Sequence, residues 1–218
     1  MVFNKTNANF ATRLTMNETF IERTHELKHL GVWITPTLSW DKHISELCRK
    51  AYPRLKMLSR LKYVGAPTED LIDIYCIFIR SLTEYCSTAF HSSLTLRLSE
   101  KIEHIQKASM RVILDVNYVD YHEALEMCGL KTLHERREQR SLDFALKCIK
   151  TPMNQHIFPL NPTLDTHMMR NREIFKVNKS RTETYRTSTI PYLQRRLNEH
   201  FSKVKERSRK KGRANLGK

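Results

Sequence analysis

The 218-residue sequence predicts an α+β fold that is mainly α: a short antiparallel β meander, a helical bundle, and a basic C-terminal extension. Three observations predict it. β-branched and aromatic residues alternate with polar ones in short runs up to residue 38; apolar residues recur three and four apart through 39–151; and residues 151–218 hold 16 basic against 5 acidic side chains. The predicted divisions are 1–38, 39–151 and 152–218.

The β part rests on the runs Phe10–Met16, Thr19–Glu22 and Leu27–Ile34, with Asn17-Glu18 as a turn. So small a meander is marginal in water by itself, so it must pack on the following helices or on a sheet that this chain lacks. Its apolar face is expected to be exposed, which favours aggregation or a bound partner.

The helical part opens at Ser39 as an N-cap, with Asp41 in the first turn. Ile44, Leu47, Cys48, Ala51, Leu55 and Leu58 form one apolar face, while Lys42, Arg49, Lys50, Arg54, Lys56, Arg60 and Lys62 occupy most of the rest. Pro53 is expected to kink or split this helix. A second helix follows Pro67-Thr68-Glu69, and its Leu71, Ile74, Tyr75, Phe78, Ile79 and Leu82 belong at the centre of the core. A third runs from about Leu96 to Leu114, with Leu98, Ile102, Ile105 and Val112 inward and Arg97, Lys101, Lys107 and Arg111 outward. Shorter helices fit Tyr121–Met127, stopped by Gly129, and Leu133–Lys150. No internal repeat is visible.

Composition bounds the function. Hydrophobic residues make up 40%, with 5 Gly and 7 Pro, which describes a folded chain rather than low-complexity disorder. Mean hydropathy is −0.54. Thirty-eight Lys and Arg against 23 Asp and Glu leave +15, which points to a polyanionic partner: nucleic acid first, an anionic membrane surface second. Residues 1–150 contribute 22 basic and 18 acidic side chains, so most of the surplus lies in the last third. There the run from Lys203 to Arg213 reads as a mobile nucleic-acid tether or nuclear-import signal. Five cysteines, an odd number with no Cys-x-x-Cys pair, argue against a disulfide framework and for a reducing compartment. The N-terminus carries no apolar run flanked by charge, so the expected location is nuclear or cytoplasmic, neither secreted nor membrane-spanning.

His25-Glu26-Leu27-Lys28-His29 spells the zincin pattern H-E-x-x-H, in which two histidines one helical turn apart bind Zn²⁺ and the glutamate is general base. A zinc metallopeptidase is therefore a remote alternative. The pattern needs a helix, whereas Gly31-Val32-Trp33-Ile34-Thr35-Pro36 follows at once, in the language of strand and turn. In an extended segment the two histidines stand roughly 13 Å apart, too far to share one ion. No Gly-x-Ser-x-Gly elbow or Gly-rich phosphate loop occurs. His91, His104, His122 and His134 read as surface or packing residues. Tyr118, Tyr121, Tyr185 and Tyr192 are of a type that stacks on bases, but at element boundaries they read first as core.

Several weak motifs occur in a fixed order: Lys28-His29-Leu30-Gly31-Val32-Trp33-Ile34, Leu38-Ser39-Trp40, His43-Ile44, then the basic helix. Tyr85-Cys86-Ser87, Ile105-Gln106-Lys107-Ala108 with Arg111, Gly129-Leu130 with Leu133 and Arg136-Arg137, and Arg181-Thr182 through Leu197-Asn198 follow in turn. This order resembles the end of the palm, the thumb and the C-terminal part of reverse transcriptases from non-LTR, LINE-type retrotransposons. The resemblance covers essentially the whole chain. It implies a palm-end β remnant, a helical thumb and a basic extension, in a fragment of an RNA-directed DNA polymerase.

Members of that family use Mg²⁺ held by palm aspartates, one pair of them adjacent, because in-line displacement at phosphorus needs metal at the attacking and leaving oxygens. No Asp-Asp pair occurs in this sequence. The chain is thus expected to begin inside the palm, to hold no catalytic residue and no metal of its own, and not to polymerise alone. By resemblance Leu30, Gly31 and Val32 are primer-grip-like. The expected phosphate contacts are Lys42, Arg49, Lys50, Arg54 and Arg60 on the thumb helix and Lys210, Lys211 and Arg213 in the tail. The implied partners are RNA, an RNA·DNA hybrid or DNA, a palm-and-fingers polypeptide, and no membrane. The competing reading is an inert or domesticated relic acting only as an interaction protein.

Overall fold

The β-branched and aromatic run near the N-terminus folds as two separate hairpins. The computed structural model describes residues 15–22, 24–161 and 173–215. Strand β1 (Thr15–Met16) pairs antiparallel with β2 (Thr19–Phe20) across Asn17-Glu18, both at positive φ, so the expected turn is present. Of the expected strand Phe10–Met16, residues 10–14 lie outside the described residues. Strand β3 (Leu27–His29) pairs with β4 (Val32–Ile34) in the register Leu27↔Ile34, Lys28↔Trp33 and His29↔Val32. The stretch Leu27–Ile34 is therefore no single strand, and the two hairpins form two sheets instead of one meander.

Leu30 and Gly31 form the two-residue loop, at φ +46° and +84°. Two consecutive positive φ values match the right-handed twist of the flanking strands, a geometry that suits Asn-Gly and strains a leucine. Leu30→Asn is expected to raise stability by about 0.5–1 kcal/mol, read as a higher melting temperature; a lower one would show that the Leu30 side chain contributes more than its backbone costs.

Helix α1 (Asp41–Tyr63) runs unbroken through Pro53. Proline removes one backbone donor, but Ile44, Leu47, Ala51 and Leu58 on either side of it are buried, and that face holds the helix together. Trp40, not Ser39, occupies the N-cap; the Ser39 hydroxyl donates to the Asp41 carboxylate at 2.7 Å. Helix α2 (Thr68–Ile74) continues through a π-helical stretch, Tyr75–Arg80, into α3 (Ser81–Glu84). The wider turn shifts the register, so Phe78, expected in the core, is half exposed while Tyr75 and Ile79 are fully buried. Helices α5 (Leu96–Leu114) and α6 (Tyr121–Met127) have the expected bounds. Thr95 caps α5, and the Asp120 carboxylate caps α6 by accepting from the backbone N–H groups of His122 and Glu123. Gly129, at φ +62°, follows the last turn of α6.

The chain divides into two units, one of residues up to 86 with 94–133, the other of 87–93 with the residues from 134 onward. These divisions differ from breaks at 38/39 and 151/152. The β3–β4 hairpin packs on α1, and helix α7 (Leu133–Lys150) buries Ala145 and Cys148 with Phe158, Phe175, Leu193 and Leu197, all later in the chain. The first unit's core joins Leu47, Ala51 and Leu58 to Leu71, Tyr75, Ile79, Ile105, Met110 and Ile113.

The second unit also holds α4 (Ser87–Phe90), α8 (Glu183–Arg186) and α9 (Thr189–Asn215), with Asn198 clamping Phe175 by accepting from its N–H and donating to its carbonyl. The basic run from Lys203, expected to be mobile, is helical as far as Asn215. All five cysteines are free thiols. Among the described residues no helix is long and apolar enough to cross a membrane.

His91 is buried in this second unit, its ring edge-on to His134 at 5.2 Å and to Tyr192 at 5.9 Å. Burial first, then the charges of Arg137, His134 and Arg196, push its pKa down to about 4. In the unfolded chain it titrates near 6.5. Below that pH the unfolded state takes up a proton that the folded state refuses, so stability is lost as pH falls from about 6.5 to 4, by roughly 3 kcal/mol in all. Melts of His91→Phe are expected to show a much smaller loss over this range than those of the unchanged chain.

Candidate nucleic-acid interface

Successive helical residues turn by about 100°, so Lys42, Arg49, Lys56 and Arg60 fall within about 40° of one another on α1, opposite Leu47, Ala51 and Leu58. The stripe is about 27 Å long, the axial length of about eight base-pair steps. Lys50 flanks it, about 80° round from Lys42, whereas Arg54, about 120° round and half-buried, lies nearer the buried face.

The side chains on this face differ in what already holds them. Arg49 donates to the Glu46 carboxylate at 2.8 Å, and that bond keeps the Glu46 carboxyl below its ordinary pKa and raises that of Arg49. Lys42 pairs with Glu26 at 3.4 Å and stands over the Trp33 ring at 5.3 Å. Arg54 donates to the Phe78 carbonyl. By contrast, Lys50, Lys56 and Arg60 have no hydrogen-bond or ion-pair partner among the described residues, and all three are exposed. Lys56 was not among the expected contacts, although its spacing of seven from Arg49 places it on the same face. Of the tail contacts, Lys210, Lys211 and Arg213 lie within the last turns of α9.

On the first unit the β3–β4 turn is fixed to the helices. The Tyr85 hydroxyl donates to the Leu30 carbonyl at 2.8 Å, and a Cβ on Gly31 would stand 3.5 Å from the Tyr85 ring. The Trp33 N–H donates to His43 Nδ1 at 3.5 Å, which requires that nitrogen unprotonated; burial, aided by the Lys50 charge, lowers the His43 pKa and keeps it so. Gly31, Trp33, His43, Glu46, Lys50 and Tyr85 enclose a cavity of about 100 Å³. The primer-grip-like turn, Leu30 to Val32, is thus brought beside Lys50, while Arg54 and Arg60 follow one and nearly three turns further along α1. Tyr85, quoted only as part of a motif, emerges as the residue that holds the turn.

The H-E-x-x-H segment is not helical. Leu27–His29 is a strand, His25 precedes it, and Glu26 is bound to Lys42. Its histidines therefore lack the one-turn helical spacing that a shared Zn²⁺ needs. No cluster of three or more His, Cys, Asp and Glu able to hold a metal occurs among the described residues.

The chain matches no family model, no curated protein and no solved structure.

Proposed function

We propose that this chain binds RNA or an RNA·DNA hybrid through phosphate contacts, as a thumb-like and C-terminal part of a LINE-type reverse transcriptase that lacks the polymerase aspartates. The observation that carries the reading is helix α1, where Lys50 beside the turn of the β3–β4 hairpin, and Lys56 and Arg60 further along, are exposed and make no hydrogen bond or ion pair among the described residues. Exposed cations spaced along one helix neutralise phosphates and read no bases. The order of motifs along the chain supports the family. Residues 151–218, with their surplus of 11 positive charges, add a second basic segment.

The test is a salt titration of binding to an RNA·DNA hybrid. With about six phosphates contacted, log K is expected to fall against log salt with a slope near −4 to −5. A flat dependence, or no binding at low salt, removes the reading and leaves the interaction-protein alternative.

A further inference from the structure

Helix α2, the π-helical stretch and α3 form one continuous rod from Thr68 to Glu84, whose inner line of Leu71, Tyr75, Ile79 and Thr83 is buried. Its outer line carries large apolar side chains that stand in solvent. Ile77 is 64% exposed and Phe78 49%, and Tyr85, just past the end of α3, is 54% exposed. Met57, 38% exposed, borders them one turn along α1 from Arg54, which donates to the Phe78 carbonyl. π-helical stretches are rare and concentrate at functional sites. Here the shifted register turns Phe78 outward beside Ile77.

We propose that this face pairs two copies of the chain, their rods antiparallel about a twofold axis near Cys76 and Ile77. Charge chooses a second copy over another partner. The rod bears acids on its N-terminal half, at Asp70 and Asp73, and a base, the half-buried Arg80, at the margin of its C-terminal half. The side chains of Asp73 and Arg80 make no hydrogen bond or ion pair among the described residues. Seven residues apart, about 10 Å along the axis, they are too distant to meet within one chain. An antiparallel mate reverses the order, so each copy's Asp73 comes opposite the other's Arg80, and a contact made once is made twice. A polyanion is disfavoured on this face, because residues 68–84 hold four acids against one base in a chain of net charge +15. For the same reason two copies of so basic a chain repel least here.

Area supports the same occupant. At about 200 Å² for a whole residue of this size, the four exposed side chains with half-buried Ile74 beside them present about 450 Å² of apolar surface. A homodimer interface of ordinary size buries about 800 Å² a side and is about 65% apolar, which amounts to about 520 Å². The face supplies most of that apolar share, and the two Asp73–Arg80 pairs belong to the polar remainder.

The experiment is sedimentation equilibrium of the full chain, free of nucleic acid, over a concentration series in about 0.15 M salt, which screens exposed charges beyond about 8 Å. A reversible monomer–dimer equilibrium is expected. Ile77→Glu is expected to leave a monomer, folded by circular dichroism. Asp73→Arg and Arg80→Asp are each expected to weaken dimerisation at least about tenfold, because each sets like charges opposite one another twice. An equimolar mixture of these two variants is expected to dimerise again, since one then presents only bases and the other only acids. A chain that stays monomeric at the highest concentration overturns the proposal, as does a dimer that Ile77→Glu leaves intact. Failure of the mixture to recover what the single variants lose overturns the antiparallel pairing. With nucleic acid absent throughout, each of these results stands apart from the phosphate-binding reading.

Discussion

Replacing Gln106 with leucine is expected to destabilise the first unit by about 3 kcal/mol, a loss of roughly 10 °C in melting temperature. The side chain is fully buried, and each of its polar atoms is used. Its Oε1 accepts from the Tyr75 hydroxyl, and its Nε2 donates to the Tyr121 hydroxyl at 3.0 Å and to the Lys131 carbonyl at 2.9 Å. Tyr121 in turn donates to Glu103, whose carboxylate accepts from the Leu133 backbone at 3.0 Å. Burial raises the pKa of both tyrosines, so the network stays neutral at its tyrosine ends throughout the physiological range. Leucine is of similar volume but leaves the buried Tyr75 hydroxyl and the Lys131 carbonyl without the amide that pairs them, and that loss is what the melt detects. A loss below about 1 kcal/mol would show that water enters and replaces the amide.

The second large effect concerns binding. Changing Lys50, Lys56 and Arg60 together to alanine is expected to weaken hybrid affinity at least tenfold near physiological salt and to reduce the salt slope by about 2.5. Stability should change little, because all three are exposed and make no hydrogen bond or ion pair among the described residues. Arg49→Ala is the informative comparison. Its guanidinium already faces Glu46, so removing it also frees a carboxylate, and the slope should change by less than one unit per charge predicts. If the triple variant binds as before, the phosphate contacts lie elsewhere, with the basic turns of α9 as the next place to change.

Much of the helical architecture was legible because its signals are local. The apolar spacing in 96–114, the Asp120 cap and Gly129 after Met127 each act within one or two helical turns, and the bounds of α5, α6 and α7 follow from them. The β3–β4 turn was hidden. Leu27 to Ile34 reads as one β-rich run, and Leu30 is a residue type that turn chemistry disfavours; pairing across the turn and the bond from Tyr85, 55 residues away, hold it there. Phe78 was misplaced because periodicity assumes a constant 3.6-residue turn, and the π-helical stretch breaks that assumption without altering composition.

The same distinction between near and far governs the candidate site. Glu46 stands three residues before Arg49, so their pairing was open to inspection. The bond from Arg54 to Phe78 spans 24 residues, and that between Lys42 and Glu26 joins a loop to a helix. Charge counting therefore named the helix that carries the cations but not which of them are uncommitted.

Residues 87–93 belong to the second unit although the chain on either side of them belongs to the first. A ribosome releasing this polypeptide vectorially therefore delivers one short piece of the second unit, with the fully buried Phe90, long before the α7 and α9 segments that complete that unit exist. The first unit has its whole sequence once residue 133 emerges, whereas Phe90 must wait for most of another 85 residues. No single cut separates the two units, and a fragment ending at 133 carries Phe90 stranded in water. Expression of either half by simple truncation is thus set against the chain's own order of synthesis, and a permuted chain that joins 87–93 to the residues from 134 onward is the form in which the second unit can be made by itself.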